Sequence, residues 1–189
     1  MIKYKILRGI VKFLVSIYVR PTFKGTENIP KKGAFVLAGN HIHLCDPATL
    51  LTVTKRQVHF LAKASLFKMP QAIIFNNMGL IGVTRDGTDG SAYKKAVEYL
   101  KNGEIVGIYP EGTRERGRGL MPFKRGAVKM AYDADVKIIP FATTGRYRPF
   151  RKGPVITFGK PYKPQKDLTK SNEELREIIR KMIEKGNKE

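Results

Sequence analysis

A chain of 189 residues suits one domain with a sizeable core, and two domains would each be small. Its 36 Lys and Arg residues against 16 Asp and Glu leave a formal net charge of +20, a field that favours nucleic acid, anionic lipid surfaces, acidic carrier proteins or phosphorylated small molecules without choosing among them. Cys45 is the single cysteine, which excludes an internal disulfide and a cysteine-ligated zinc site and leaves a reducing cytosol as the default, and no run reaches the ~18 apolar residues of a spanning helix.

The first twenty residues combine basic and apolar character, as a signal peptide does. Lys12 interrupts the apolar run, however, and no small-residue cleavage site follows Tyr18-Val19-Arg20-Pro21, so the segment is read as part of the working protein. On a helical wheel Lys5, Arg8, Gly9, Lys12 and Ser16 gather on one side. Ile6, Leu7, Ile10, Val11, Phe13, Leu14, Ile17 and Tyr18 fill the wider remainder. This pattern predicts an amphipathic helix lying in a membrane interface, ended by Pro21, with its basic side toward anionic headgroups. A helix packed on the domain with its basic face in water is the alternative.

Beyond it, Phe23 to Pro30 reads as a short strand and turn, and Ala34 to Ala38 as a buried strand. Pro47 suits the first position of a helix with Asp46 as its cap, and Ala48, Leu50, Leu51 and Val53 give that helix an apolar side. Strands are expected at Val58 to Ala62 and Leu80 to Thr84, with partial helix between Leu66 and Met78 and a new turn starting at Pro70. Asp86 to Asp89 is a turn, followed by a helix through Leu100 that Asn102-Gly103 stops. Ile105 to Tyr109 is a strand, Arg114 to Leu120 a basic glycine-rich loop, and Phe123 to Tyr132 a helix. Val136 to Phe141 and Val155 to Phe158 are further strands, joined through the basic Arg146 to Lys152 loop. A polar excursion from Lys160 to Lys170 precedes a last helix, opened by a Ser171/Glu174 capping box and striped by Leu175, Ile178, Ile179 and Met182, with polar terminal residues that fray. The alternation predicts an α/β fold: a single domain, residues 21–189, with a central, mostly buried sheet flanked by helices, plus the N-terminal membrane-surface helix over residues 1–20.

In open α/β sheets ligands sit beyond the carboxyl ends of the strands. His41, Lys63, Arg85 and the run Glu111 to Arg114 each follow an expected strand end, which gathers them into one pocket. His41 and Asp46, five positions apart, form a base and its orienter if the turn folds the carboxylate back onto the ring. Arg85 and Arg114, with Lys63, offer a phosphate clamp, to which Thr113 adds a hydroxyl and Gly112 a backbone amide. Glu111 would accept a bond from a substrate hydroxyl or hold Arg114. His43 lines the site. Cys45 beside a histidine invites a thiol nucleophile, but free cysteines are commonly buried and inert. A metal site lacks a third ligand, since His59, the remaining histidine, falls on a strand.

Asn40-His41 followed by Asp46 resembles the H-x-x-x-x-D motif of the glycerolipid acyltransferases, the family that contains lysophosphatidic acid acyltransferase. Tyr109-Pro110-Glu111-Gly112-Thr113-Arg114 resembles its E-G-T-R block. Gly79 through Val83 to Arg85 and Ile138-Ile139-Pro140 resemble two further blocks, all four in family order. The resemblance implies acyl transfer from a thioester, acyl-CoA or acyl carrier protein, to the free hydroxyl of lysophosphatidic acid, giving phosphatidic acid; glycerol 3-phosphate or another lyso-lipid is the alternative acceptor. It implies His41 as general base oriented by Asp46, with Arg85, Gly112, Thr113 and Arg114 on the acceptor phosphate, Glu111 on the glycerol part, and Lys63 as an additional basic residue. No cofactor beyond the thioester co-substrate is implied. The expected partner surface is an anionic membrane, at its cytoplasmic face, with peripheral or monotopic attachment. His43 departs from the serine often found two positions after the base. The reading from another class is a basic nucleic-acid-binding domain, in which Lys124, Arg125, Lys129 and the Arg146 to Lys152 loop bind backbone and Tyr147 and Phe150 stack on bases.

Overall fold

The structure is a computed structural model that describes residues 2–68, 71–84, 90–115 and 117–188. Pro70, Arg85 and the expected turn at 86–89 therefore lie outside the described residues. Seven strands form one sheet: β1 (Thr22–Lys24), β2 (Phe35–Gly39), β3 (Val58–Lys63), β4 (Ile81–Val83), β5 (Ile105–Ile108), β6 (Lys137–Thr144) and β7 (Val155–Phe158). Their order across the sheet is β1-β7-β6-β2-β5-β3-β4. Every neighbouring pair is parallel except β6 and β7. The helices are α1 (Ile2–Tyr18), α2 (Asp46–Leu50), α3 (Gln71–Asn77), α4 (Ser91–Lys101), α5 (Gly126–Asp133) and α6 (Leu168–Lys188).

β2 explains the layering. All five of its residues are buried, because it is central and covered on both faces. Its side chains alternate between two cores. Val36 and Ala38 join Val106 and Ile138 under α4, α5 and α6, where Ala96, Leu100, Ala127, Met130, Leu175 and Ile179 pack. Phe35 and Leu37 join Ile105, Ile139, Phe141 and Phe158 on the opposite face, covered by Tyr4 of α1, Leu50 of α2 and Met78. The small residues of α4 and α5 let those helices sit close to the sheet, and the aromatic residues fill the wider gap on the other side.

Because β2, β3, β4 and β5 run parallel, their carboxyl ends share one edge of the sheet. The chain leaves β2 for β3 on one side and returns through α5 to β6 on the other, so the segment after β2 lies where strand order reverses. β7 runs back antiparallel to β6, which puts the loop 145–154 on that same edge. β1 pairs in parallel with β7, so the end of α1 arrives there too. Phe150 donates its amide to the Tyr18 carbonyl at 3.0 Å, and Gly153 donates to Arg20 at 3.2 Å.

Three local expectations differ. Asp46 is not a side-chain cap; it opens the five-residue α2 with no bond to that helix's own amides. α6 begins three residues before the expected Ser171 start. Asp167 accepts the amides of Thr169 and Lys170, while Ser171 is turned inward to accept the Gln165 amide. The tail that was expected to fray stays helical to Lys188.

α1 also differs from its wheel reading. Arg8 does not face outward; its guanidinium donates to the carbonyls of Leu51, Thr54 and Thr52 at 3.1, 2.7 and 3.1 Å. Tyr4, Leu7, Val11 and Val15 pack beside it on the domain. Carbonyls freed beyond the short α2 need donors, and a long flexible arginine at the right turn of α1 supplies them. Ile6, Ile10, Phe13, Leu14 and Ile17 remain exposed on the other side of the helix. Among the described residues no helix is long and apolar enough to cross a membrane.

Gly39 closes β2 against β6 at the entrance to the following turn. A Cβ there would lie 2.4 Å from both the Phe141 ring and the Phe141 carbonyl oxygen. Gly39→Ala is expected to destabilise the fold by about 1–3 kcal/mol, read as a lowered urea midpoint at unchanged slope.

Candidate active site

The turn between β2 and α2 is held from three directions. Asn40 is buried and pairs twice with the main chain of Thr143 on β6: its Nδ2 donates to the carbonyl at 2.9 Å, and its Oδ1 accepts the amide at 2.7 Å. Glu111, beyond β5, accepts the His41 amide at 2.9 Å on one oxygen and the Met121 amide at 3.0 Å on the other. Glu115 donates its amide to the His41 carbonyl at 2.9 Å. The histidine backbone is thus clamped before its side chain is considered.

His41 Nδ1 lies 2.7 Å from Asp46 Oδ2. The same oxygen accepts the amides of Ile42 and His43, each at 2.8 Å. Asp46 is fully buried, while the His41 side chain keeps 16% of its exposure. Asp46 Oδ2 accepts the hydrogen bond that Nδ1–H donates, which leaves Nε2 with its lone pair, the tautomer a general base requires. The Tyr109 ring stacks on the imidazole with centroids 4.1 Å apart and planes 20° apart. This holds the plane of His41 as Asp46 holds its edge.

The structure gives other site residues particular surroundings. Glu111 does not hold Arg114: both its oxygens serve main-chain amides. Burial pushes its pKa up, against the pull of the Met121 and His41 amides. Cys45 is half-buried, and burial together with the Asp46 charge pushes its thiol pKa up, so the sulfur remains a protonated, weak nucleophile. Lys63 is exposed at the end of β3. Gly112 takes φ +69, and the Lys124 ammonium lies 3.4 Å from where a Cβ on that glycine would stand. Lys124 is thereby placed beside Gly112; the sequence alone had grouped it only with a general basic patch. His59 is on β3, with Nδ1 at 2.7 Å from the Gly79 carbonyl and Nε2 at 2.5 Å from Glu104. Arg85 is outside the described residues, two positions beyond β4. A cavity of about 600 Å³ opens beside the turn, lined by Asn40, His43, Glu111, Thr143, Arg146 and Tyr147 among others.

Tyr147 was expected to serve, if anything, as a base-stacking platform. Its ring instead stacks on His43, centroids 4.2 Å apart, and its hydroxyl donates to Asp46 at 2.5 Å. Phe150 meets Tyr18 edge-on. The nucleic-acid reading thereby loses the stacking ring of Tyr147.

A family model described as "Acyltransferase" matches residues 20–144, which contain the whole of this turn and its clamps. The chain belongs to that acyltransferase family. A 1-acyl-sn-glycerol-3-phosphate acyltransferase of Borreliella burgdorferi is 39% identical over 119 residues, 61% of this chain and 48% of that protein. One of Bacillus subtilis is 33% identical over 144 residues, 75% of this chain and 71% of that protein. The chain thus spans about half the length of the first of these relatives and most of the second. A crystal structure of the 1-acyl-sn-glycerophosphate (LPA) acyltransferase PlsC from Thermotoga maritima superposes with a TM-score of 0.81 at 23% identity, over 96% of this chain and 78% of that one, and shares the fold.

Glu111→Gln would present an amide N–H₂ to one of the two main-chain donors that now share the carboxylate. The expected result is an acyl-transfer rate lowered about tenfold, with a folded far-UV spectrum retained. A wild-type rate would mean that the His41 backbone does not depend on Glu111.

Proposed function

We propose that the chain transfers a fatty acyl group from a thioester to the free hydroxyl of lysophosphatidic acid, forming phosphatidic acid. The observation that carries the proposal is the His41–Asp46 pair at 2.7 Å, with Nδ1 engaged and Nε2 left as a base, inside the family's matched region. The names of the relatives supply the acceptor class. A thioester is already activated, so the protein needs no covalent relay. Nε2 takes the hydroxyl proton as that oxygen attacks the thioester carbonyl. The C–S bond then breaks, and the imidazolium returns its proton to the leaving thiolate.

Acyl-CoA and acyl carrier protein both fit as donors, since both are acidic and the chain carries +20. The phosphate of the acceptor would lie among Arg114, Thr113 and the amide side of Gly112, with Lys124 beside that glycine and Lys63 and Arg85 as further cations. Glu111 would act chiefly through the His41 amide rather than on the glycerol. With both donors offered in turn, the purified protein should acylate lysophosphatidic acid well above its dephosphorylated counterpart, monoacylglycerol. His41→Ala should lower that rate by about 10²–10⁴-fold, whereas Cys45→Ser should leave it nearly unchanged. A Cys45 acyl adduct that passes its acyl group to the acceptor would overturn the mechanism.

The acceptor's chemistry implies a bilayer surface, and α1 supplies a means of reaching one. Ile6, Ile10, Phe13 and Ile17 would enter the acyl boundary, with Lys5 and Lys12 at the headgroups, each basic residue adding about 1 kcal/mol at an anionic surface. Arg8 is not part of that contact. Attachment would be peripheral, on the cytoplasmic leaflet. Phe13→Glu with Ile17→Glu touches neither Tyr4 nor Arg8, so the domain should stay folded. Co-sedimentation with phosphatidylglycerol-containing vesicles should fall about tenfold, and retained binding would move the attachment to the basic loops.

A further inference from the structure

Asp46 has two carboxylate oxygens, and the turn itself satisfies only one. Oδ2 receives His41 Nδ1–H and the amides of Ile42 and His43. Oδ1 is held by a residue 101 positions away, Tyr147, whose hydroxyl is at 2.5 Å. Asp46 is fully buried, so this bond stands where water would otherwise be needed. We propose that Tyr147 is a positioning residue of the catalytic pair: its hydroxyl fixes the orientation of the Asp46 carboxylate and, by drawing charge toward Oδ1, limits how strongly that carboxylate acts on the His41 imidazole. The proposal rests on the acyltransferase reading for its consequence and on the structure for its contacts.

The placement of Tyr147 is over-determined. Its ring is stacked on His43, with planes 16° apart. His43 Nδ1 in turn accepts the Cys45 amide at 3.2 Å, which fixes that ring and sets its proton on Nε2. The loop that carries Tyr147 is anchored at Phe150 and Gly153 to the end of α1, and Arg20 donates to the Phe150 carbonyl. Burial, followed by the Asp46 charge, pushes the Tyr147 pKa far up, so the hydroxyl remains a donor throughout the working range. Among the described residues, the ionisable groups near the pair include Tyr109, stacked on His41; Glu111, on the His41 amide; Glu115, whose amide donates to the His41 carbonyl; Cys45, beside Asp46; and His43. Tyr109 and Cys45 have raised pKa values and stay neutral near pH 7.

The sign of the effect follows from the charge distribution. With Tyr147 present, the Asp46 charge is shared between a neutral donor on Oδ1 and the His41 imidazole on Oδ2. With the hydroxyl removed, more of it acts on His41 and stabilises the imidazolium. The base then holds its proton to a higher pH, and activity on the acid side is lost earlier.

Tyr147→Phe keeps the ring on His43 and removes only the hydroxyl; Tyr147→Leu removes both. The three histidines, assigned with single His→Gln variants, are titrated by ¹⁵N NMR in the intact protein without substrate, and kcat is measured against pH with saturating donor and acceptor. The expected result for Tyr147→Phe is an upward shift of the His41 titration by about one pH unit, matched by the acid limb of kcat, with kcat at pH 7 lowered about tenfold and KM for the acceptor little changed. A wild-type His41 titration in Tyr147→Phe overturns the proposal, whether Tyr147→Leu is active or inactive. The NMR arm reads Tyr147 independently of the substrate: a shifted titration in a protein that acylates no lyso-lipid would defeat the functional reading while leaving the positioning role intact.

Discussion

A charged carboxylate with no solvent exposure is the constraint on which the site depends. An unpaired buried ion would cost several kcal/mol, so Asp46 is tolerable only with its acceptor sites filled. Four donors converge on it: His41, Ile42, His43 and Tyr147. Two are amides of its own turn, which is why the chain bends back so tightly after β2. The third is His41, the proposed base. Charge-assisted bonds of this kind contribute about 1.5–3 kcal/mol each, and here they select one backbone path and one imidazole tautomer together.

Around that ion the rest of the sheet edge works as a clamp. Asn40 ties the turn to β6, and Glu111 ties it to the segment after β5, so the two strands flanking β2 both grip the histidine. Tyr109 closes one face of the ring. A histidine held by its backbone, edge and face would, as the proposed base, lose little freedom when a substrate arrives. Glu111 illustrates the division of labour: a carboxylate in a motif that elsewhere suggests ligand contact is here committed to two main-chain amides.

α1 joins this edge to the outer surface. Its inner face is fastened by Arg8 to the carbonyls beyond α2 and by Tyr4 to Arg56, whereas its end holds the loop that presents Tyr147. Its outer face carries Ile6, Ile10, Phe13 and Ile17 in the open. One helix thus contacts both the segment after the catalytic turn and the loop on Asp46. The apolar arc that looked continuous on a wheel is divided by the domain into a packed half and an exposed half.

Much of this was legible in the sequence because it is local. Short, mainly apolar runs marked β2, β3, β5 and β6, and helical spacing marked α4 and α6, since strand burial and helix periodicity are properties of neighbouring residues. The spacing of His41 and Asp46 allowed a dyad for the same reason: the turn that joins them is six residues long. What tertiary structure alone decided are pairings between distant segments. Tyr147 reaches Asp46 because β7 reverses direction and brings its loop to the edge that carries the His41–Asp46 turn, and local periodicity does not encode strand direction. Arg8 faces inward because α2 ends early and leaves carbonyls in reach; its position on a wheel gave it to solvent. Asp46 forgoes the cap of its own helix because the amides of the preceding turn and a base lie nearer to its oxygens. In each case the residue type was in the sequence, but its partner was set by sheet order and by the need to satisfy a buried polar group.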